Sequence, residues 1–188
     1  MSAIQRICVY CGSGSGSDPA FAQAARSFGK ILADHRIGLV YGGGAIGLMG
    51  EIANAVLDAG GATIGVIPRF LVNREHKLNR GEVIVTRDMH ERKQAMFEHA
   101  DAFVALPGGV GTLEEVVEQM TWAQLGRHKK PILLANINRF WDPLCALLDH
   151  MQQLHFIRSG LDLPRLQDAA RGLSEADKQM KTVAVEQT

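Results

Sequence analysis

The residues with the clearest chemical potential lie in "PGGVGTLEE", residues 107–115. Pro107, Gly108, Gly109 and Gly111 follow an apolar run, and a loop of this kind offers backbone amides to an anion where a helix begins. Yet Glu114, Glu115 and Glu118 crowd the opening of that helix, where carboxylates repel a phosphate. Glu115 and Glu118 are three apart and share a helix face. Thr112 and Glu115 also fit the capping box T-x-x-E, in which Glu115 would only satisfy the start of its own helix. A ligand with a phosphate at one end and developing positive charge at the other accounts for both features. A nucleoside 5′-monophosphate losing its base is such a ligand. Glycine amides take the phosphate, and a carboxylate stabilises the oxocarbenium-like ribose.

A second constellation precedes it. "RDMHERKQAM" (87–96) reads as a helix start, with Asp88 as N-cap and Glu91 three residues later. Arg87, His90, Arg92 and Lys93 gather in its first turn, where the helix dipole disfavours positive charge. Cations placed there imply an anion beside them. Arg92 can fork onto phosphate or carboxylate oxygens, and Lys93 adds a point charge.

The elements that must position these groups alternate regularly. Apolar runs "RICVY" (6–10), "IGLVY" (37–41), "ATIGVI" (62–67), "EVIVT" (82–86), "AFVAL" (102–106) and "PILLA" (131–135) read as strands buried on both faces. Between them lie stripes at helical spacing: Phe21, Ala25, Phe28 and Leu32; Leu48, Ile52, Val56 and Ala59; Leu113, Val116, Val117 and Met120; Leu144, Leu147, Leu148 and Met151. Pro19 behind Ser17 and Asp18 suits a helix start. The alternation predicts a three-layer, Rossmann-like α/β domain, a parallel sheet covered by helices on both faces. Residues 1–158 form this domain, and 159–188 are left as a C-terminal helix and tail.

Ligands in such folds sit beyond the carboxyl ends of the strands. Three glycine-rich corners fall on that edge: 11–17, 42–50 and 107–112. Gly42, Gly44 and Gly47 match G-x-G-x-x-G, but after the second strand rather than the first. The next strand ends "VIPRF", with no acidic residue to hold an adenosine ribose, which weighs against a nicotinamide cofactor.

Composition narrows the partners. Lys plus Arg and Asp plus Glu are each 20, so net charge is zero with His neutral, which argues against a general attraction for nucleic acid. No apolar stretch approaches the ~18 residues of a membrane span, and the amino-terminal run is too short for a signal peptide. Cys8 and Cys11 form C-x-x-C inside a strand-like run, and the third cysteine, Cys145, stands alone. Reduced, buried thiols in a cytoplasmic protein are the expectation.

The motif P-G-G-x-G-T-x-x-E, with "MHERK", "CGS", "YGGG..GLMG" and "TWAQLG", resembles the Lonely Guy family of cytokinin riboside 5′-monophosphate phosphoribohydrolases, often labelled lysine decarboxylases. The resemblance runs from about residue 6 to 157. It implies hydrolysis of a purine ribonucleoside 5′-monophosphate to free base and ribose 5-phosphate, with no metal or cofactor. By position it makes Arg92 and Glu115 the catalytic pair. It places Cys11, Gly12, Ser13, Gly43, Gly44, Met89, Lys93 and Thr121 against the substrate, with Gly108, Gly109, Val110, Gly111, Thr112, Leu113 and Glu114 of the loop and helix start. A family glutamate ahead of the fourth strand falls nearest Glu75 in "NREHKL". The family is usually dimeric, and here Trp122 and Leu125, beyond the Val116–Met120 stripe, would supply the contact. The tail from Arg158 lacks the extended stretch expected of close relatives. A non-catalytic carrier of nucleotide or molybdenum cofactor on the same scaffold is the alternative. A pyridoxal-dependent decarboxylase is not, because the chain is too short and Lys77 of "EHK" falls in a polar loop.

Overall fold

The computed structural model describes residues 4–72, 78, 80–157 and 165–166. Among the described residues, seven strands form one parallel sheet in the order β4-β3-β2-β1-β5-β6-β7. They are β1 (Arg6–Tyr10), β2 (Gly38–Tyr41), β3 (Thr63–Pro68), β4 (Glu82–Thr86), β5 (Ala102–Ala105), β6 (Ile132–Ala135) and β7 (Arg165–Leu166). The six apolar runs are therefore strands, displaced at their ends by a residue or less. The seventh was not expected: a pairing of two residues on the edge beside β6 has no periodicity to announce it.

Helices α1 (Pro19–Asp34) and α2 (Gly47–Asp58) cover one face. Helices α3 (Met89–His99), α4 (Val110–Gln124) and α5 (Asp142–Gln153) cover the other. The alternation along β1 separates the two cores. Ile7 and Val9 pack with Phe28, Leu32, Ile52 and Val56, whereas Cys8 and Tyr10 pack with Met96, Phe103, Val116 and Met120. Cys8 and Cys11 fall in opposite cores, and all three cysteines are buried.

Local signals act where expected at two helix starts. Asp18 Oδ1 accepts from Ala20 N at 2.9 Å, with Pro19 as the first helical residue of α1. Asp88 Oδ1 accepts from Glu91 N at 2.9 Å, and Glu91 reaches back to Arg87 N at 2.7 Å.

Two stripes are turned differently from their apolar pattern. In α4 the buried residues are Thr112, Glu115, Val116, Gln119 and Met120, while Leu113 and Val117 are 37% and 42% exposed. The helix rotates its polar Thr112, Glu115 and Gln119 inward and leaves an apolar stripe facing out. In α5, Leu147 and Met151 are likewise exposed and only Cys145 is buried. Ala59 falls outside α2 as its exposed C-cap.

Candidate active site

Strands run outward from β1 to β4 on one side of the sheet, and from β5 to β7 on the other. The crevice at the carboxyl ends of β1 and β5 is thus the topological switch point, where doubly wound sheets bind ligands. The three glycine corners meet there. Gly12 N donates to Pro107 O at 3.1 Å, and Leu48 N donates to Gly12 O at 3.1 Å. Gly47 makes that approach possible. Its φ is +61°, and a Cβ would overlap the Ser13 carbonyl.

A cavity of about 320 Å³ opens at this point. Its wall contains Cys11, Gly12, Ser13, Met89, Arg92, Gly109, Val110, Gly111, Thr112 and Glu115 of the residues picked out from the sequence. It also contains Val9, Tyr10, Gly42, Met49 and Leu71, which sequence reasoning did not assign. Val9 and Tyr10 end β1 and were legible from the strand-edge rule; Leu71 follows β3 in a short 3₁₀ turn, with no motif to mark it. Gly108 lines a neighbouring cavity of about 270 Å³ with Phe21 and Phe140. Gly43 and Gly44 lie outside both walls; Gly43 O accepts from Leu78 N at 3.2 Å. Thr121 is exposed and donates to Val117 O at 2.8 Å. Glu75 lies outside the described residues.

The helix start resolves the capping question. Helix α4 begins at Val110, its N-cap is Gly109, and no side chain caps it. Thr112 and Glu115 therefore sit within the helix, and no T-x-x-E box forms. Glu115 instead faces inward and accepts from Arg92 Nη1 across the cavity wall. Both groups are buried, Arg92 8% and Glu115 6% exposed. Arg92 Nε also donates to Val66 O at 3.1 Å. Burial pushes the Glu115 carboxyl above its ordinary value, and the Arg92 charge pulls it part of the way back.

Lys93 faces the other two carboxylates, Glu114 at 2.5 Å and Glu118 at 2.9 Å. The anions opposite Arg92 and Lys93 are thus carboxylates of the chain itself, not only those of a ligand. This changes the role of the cation cluster. It stitches α3 to α4 and neutralises three glutamates beside the crevice. Arg87 turns away, exposed and paired with Glu91 at 3.1 Å.

A doubly wound α/β domain with uncapped helix amides and a buried guanidinium–carboxylate pair at its switch point is a small-molecule site of the Rossmann-like class. The chain matches the family described as "Possible lysine decarboxylase" over residues 49–175. It is 50% identical over 155 residues to the probable cytokinin riboside 5′-monophosphate phosphoribohydrolase LOGL1 of Oryza sativa subsp. japonica, spanning 82% of this chain and 70% of that protein. Identity to the phosphoribohydrolase LOG of the same organism is 53% over 149 residues, 79% of this chain and 62% of that protein. Identity to LOG7 of Arabidopsis thaliana is 43% over 188 residues, 97% and 87% of the two chains. The chain belongs to this family, the Lonely Guy phosphoribohydrolases.

Among solved structures, the Moco carrier protein from Chlamydomonas reinhardtii superposes with a TM-score of 0.69 at 25% identity, covering 94% of this chain and 97% of that one. The molybdenum cofactor binding protein from Rippkaea orientalis gives 0.68 at 22% identity, covering 96% and 98%. The latter likeness is one of fold. Among the described residues, no lysine lines the cavity.

Proposed function

We propose that this chain hydrolyses the N-glycosidic bond of purine ribonucleoside 5′-monophosphates, cytokinin ribotides and AMP among them, to free base and ribose 5-phosphate. The observation that carries this is the buried Arg92–Glu115 pair in the wall of a cavity that opens beside the uncapped start of α4. Relatives that are 43–53% identical and named phosphoribohydrolases support it.

The phosphate goes to the amides of Gly109 to Thr112, at the positive end of the α4 dipole. Arg92 and Lys93 are already engaged by carboxylates, so these amides carry most of the phosphate binding. Glu115 lies five residues past Val110, about 7.5 Å along the helix axis at 1.5 Å per residue. One bound molecule spans both. As the C1′–N bond breaks, its electron pair leaves with the base and positive charge builds on the ribose. Ionised Glu115 stabilises that charge; a water oxygen then bonds to C1′, and one water proton ends on the departing base. Arg92 orients Glu115 and favours its ionised form against the effect of burial. The carrier alternative lacks a comparable support, since a carrier has no use for a buried carboxylate facing a sugar carbon.

Because the amides recognise phosphate, AMP is expected to be hydrolysed and adenosine to be a poor substrate. Equal kcat/KM for the two, followed by chromatography of adenine, would place the phosphate elsewhere.

A homodimer is part of the proposal. Val110, Leu113, Val117 and Leu125 are exposed along one side of α4, and Val110 also borders the cavity. Trp122 does not join them, because Arg127 lies over its ring at 3.8 Å and Phe97 packs edge-on against it. Val117→Asp, away from the cavity wall, is expected to halve the sedimenting mass from twice 20.5 kDa. A wild-type chain that sediments as a monomer contradicts the dimer. Among the described residues no helix is long and apolar enough to cross a membrane. The proposed compartment is the cytoplasm, supported by the free, buried thiols of Cys8 and Cys11.

A further inference from the structure

We propose that Gly42 is a positioning residue for the Arg92–Glu115 pair: its missing side chain is the space that holds the Arg92 guanidinium in place. The kinetic consequence rests on the hydrolase reading; the packing argument does not.

Gly42 opens the turn after β2, and its φ is not among the positive values of the described glycines. The backbone there does not demand glycine, as it does at Gly43, where φ is +78°. The demand comes from packing. A Cβ on Gly42 would stand 2.5 Å from Arg92 Nη2 and 2.8 Å from Met49 Sδ. The thioether is on a flexible chain and can move aside. The guanidinium cannot move so simply. Its Nε is held by Val66 O at 3.1 Å, its Nη1 by Glu115, and the side chain is 9% exposed. A planar fork fixed at two corners has no third position to take without breaking one of those bonds.

Alanine at this position therefore displaces the guanidinium from the place where it meets Val66 O and Glu115 together, and weakens its hold on Glu115. Burial then acts on the carboxyl with less opposition, and it holds its proton to higher pH. The step that needs ionised Glu115 slows accordingly.

The test has two readouts. For Gly42→Ala, the acidic limb of the kcat/KM profile for AMP moves to higher pH, at a cost of roughly tenfold in rate per unit moved when measured below the limb. Adding Met49→Ala does not restore it. A limb that stays in place, or full recovery on adding Met49→Ala, overturns the proposal. The second readout needs no activity. Gly42→Ala lowers Tm in the Arg92 protein but not in the Arg92→Lys protein, whose side chain has no Nη2 to displace. An equal Tm loss in both backgrounds overturns the proposal. If the wild-type protein releases no base, the hydrolase reading fails, and the Tm comparison still decides the role of Gly42.

Discussion

Glu115→Gln is expected to lower turnover of AMP by on the order of 10²–10³-fold, the usual loss when one preorganised electrostatic group is removed from a transition state. Binding and stability should change little. Glutamine keeps the shape of the side chain, and its carbonyl oxygen can still accept from Arg92 Nη1. What disappears is the negative charge that the proposed mechanism sets against C1′. Stability has a further reason to survive. Burial raises the folded-state pKa of Glu115 above its ordinary 4.5, so wild type loses stability as pH rises through that folded value. A neutral amide carries no such penalty. Calorimetric titration with AMP, thermal melts and a turnover assay separate the outcomes. Turnover that persists would reduce Glu115 to a structural partner of Arg92.

Arg92→Ala is expected to be as damaging to rate and more damaging to the fold. It leaves Glu115 buried without its cation, a situation that costs about 3–5 kcal/mol when one partner of a buried pair is removed. The pH dependence identifies the cause. With Arg92 gone, the influence that lowers the Glu115 pKa is lost, and burial raises it further. A raised folded-state pKa gives stability that is present below the unfolded value and lost as pH rises through the folded one. The Tm deficit of Arg92→Ala relative to wild type should therefore be smallest near pH 4.5 and grow towards neutral pH. A deficit that is constant with pH would point to lost packing rather than to an uncompensated carboxylate. The rate should fall together with the ionised fraction of Glu115.

Much of this was legible because strong local patterns agreed with one another. Doubly buried strands read as unbroken apolar runs, and helix starts at Asp18 and Asp88 carried their caps openly. The three glycine corners converge because every parallel strand ends on the same edge. The rotation of α4 was not legible. Its sequence offers Leu113 and Val117 as well as Val116 and Met120, and periodicity favours burying all four. The structure spends part of the buried face on Thr112, Glu115 and Gln119, because Arg92 on a neighbouring helix provides a partner for one of them. Partnership between helices has no signature in a linear pattern. The same limit hid the Lys93 bridge to Glu114 and Glu118, which a sequence reader assigns to the ligand. Gly42 was visible as the first glycine of a dinucleotide-like motif, but its packing against a guanidinium from α3 needed coordinates.

The most direct test of the central claim is product analysis of the wild-type protein with N6-isopentenyladenosine 5′-monophosphate and no added metal. The glycine cradle and the buried pair predict free base and ribose 5-phosphate in equal amounts, rising together with time. Tight binding of the nucleotide with neither product released would contradict hydrolysis and leave a binding protein built on the same sheet.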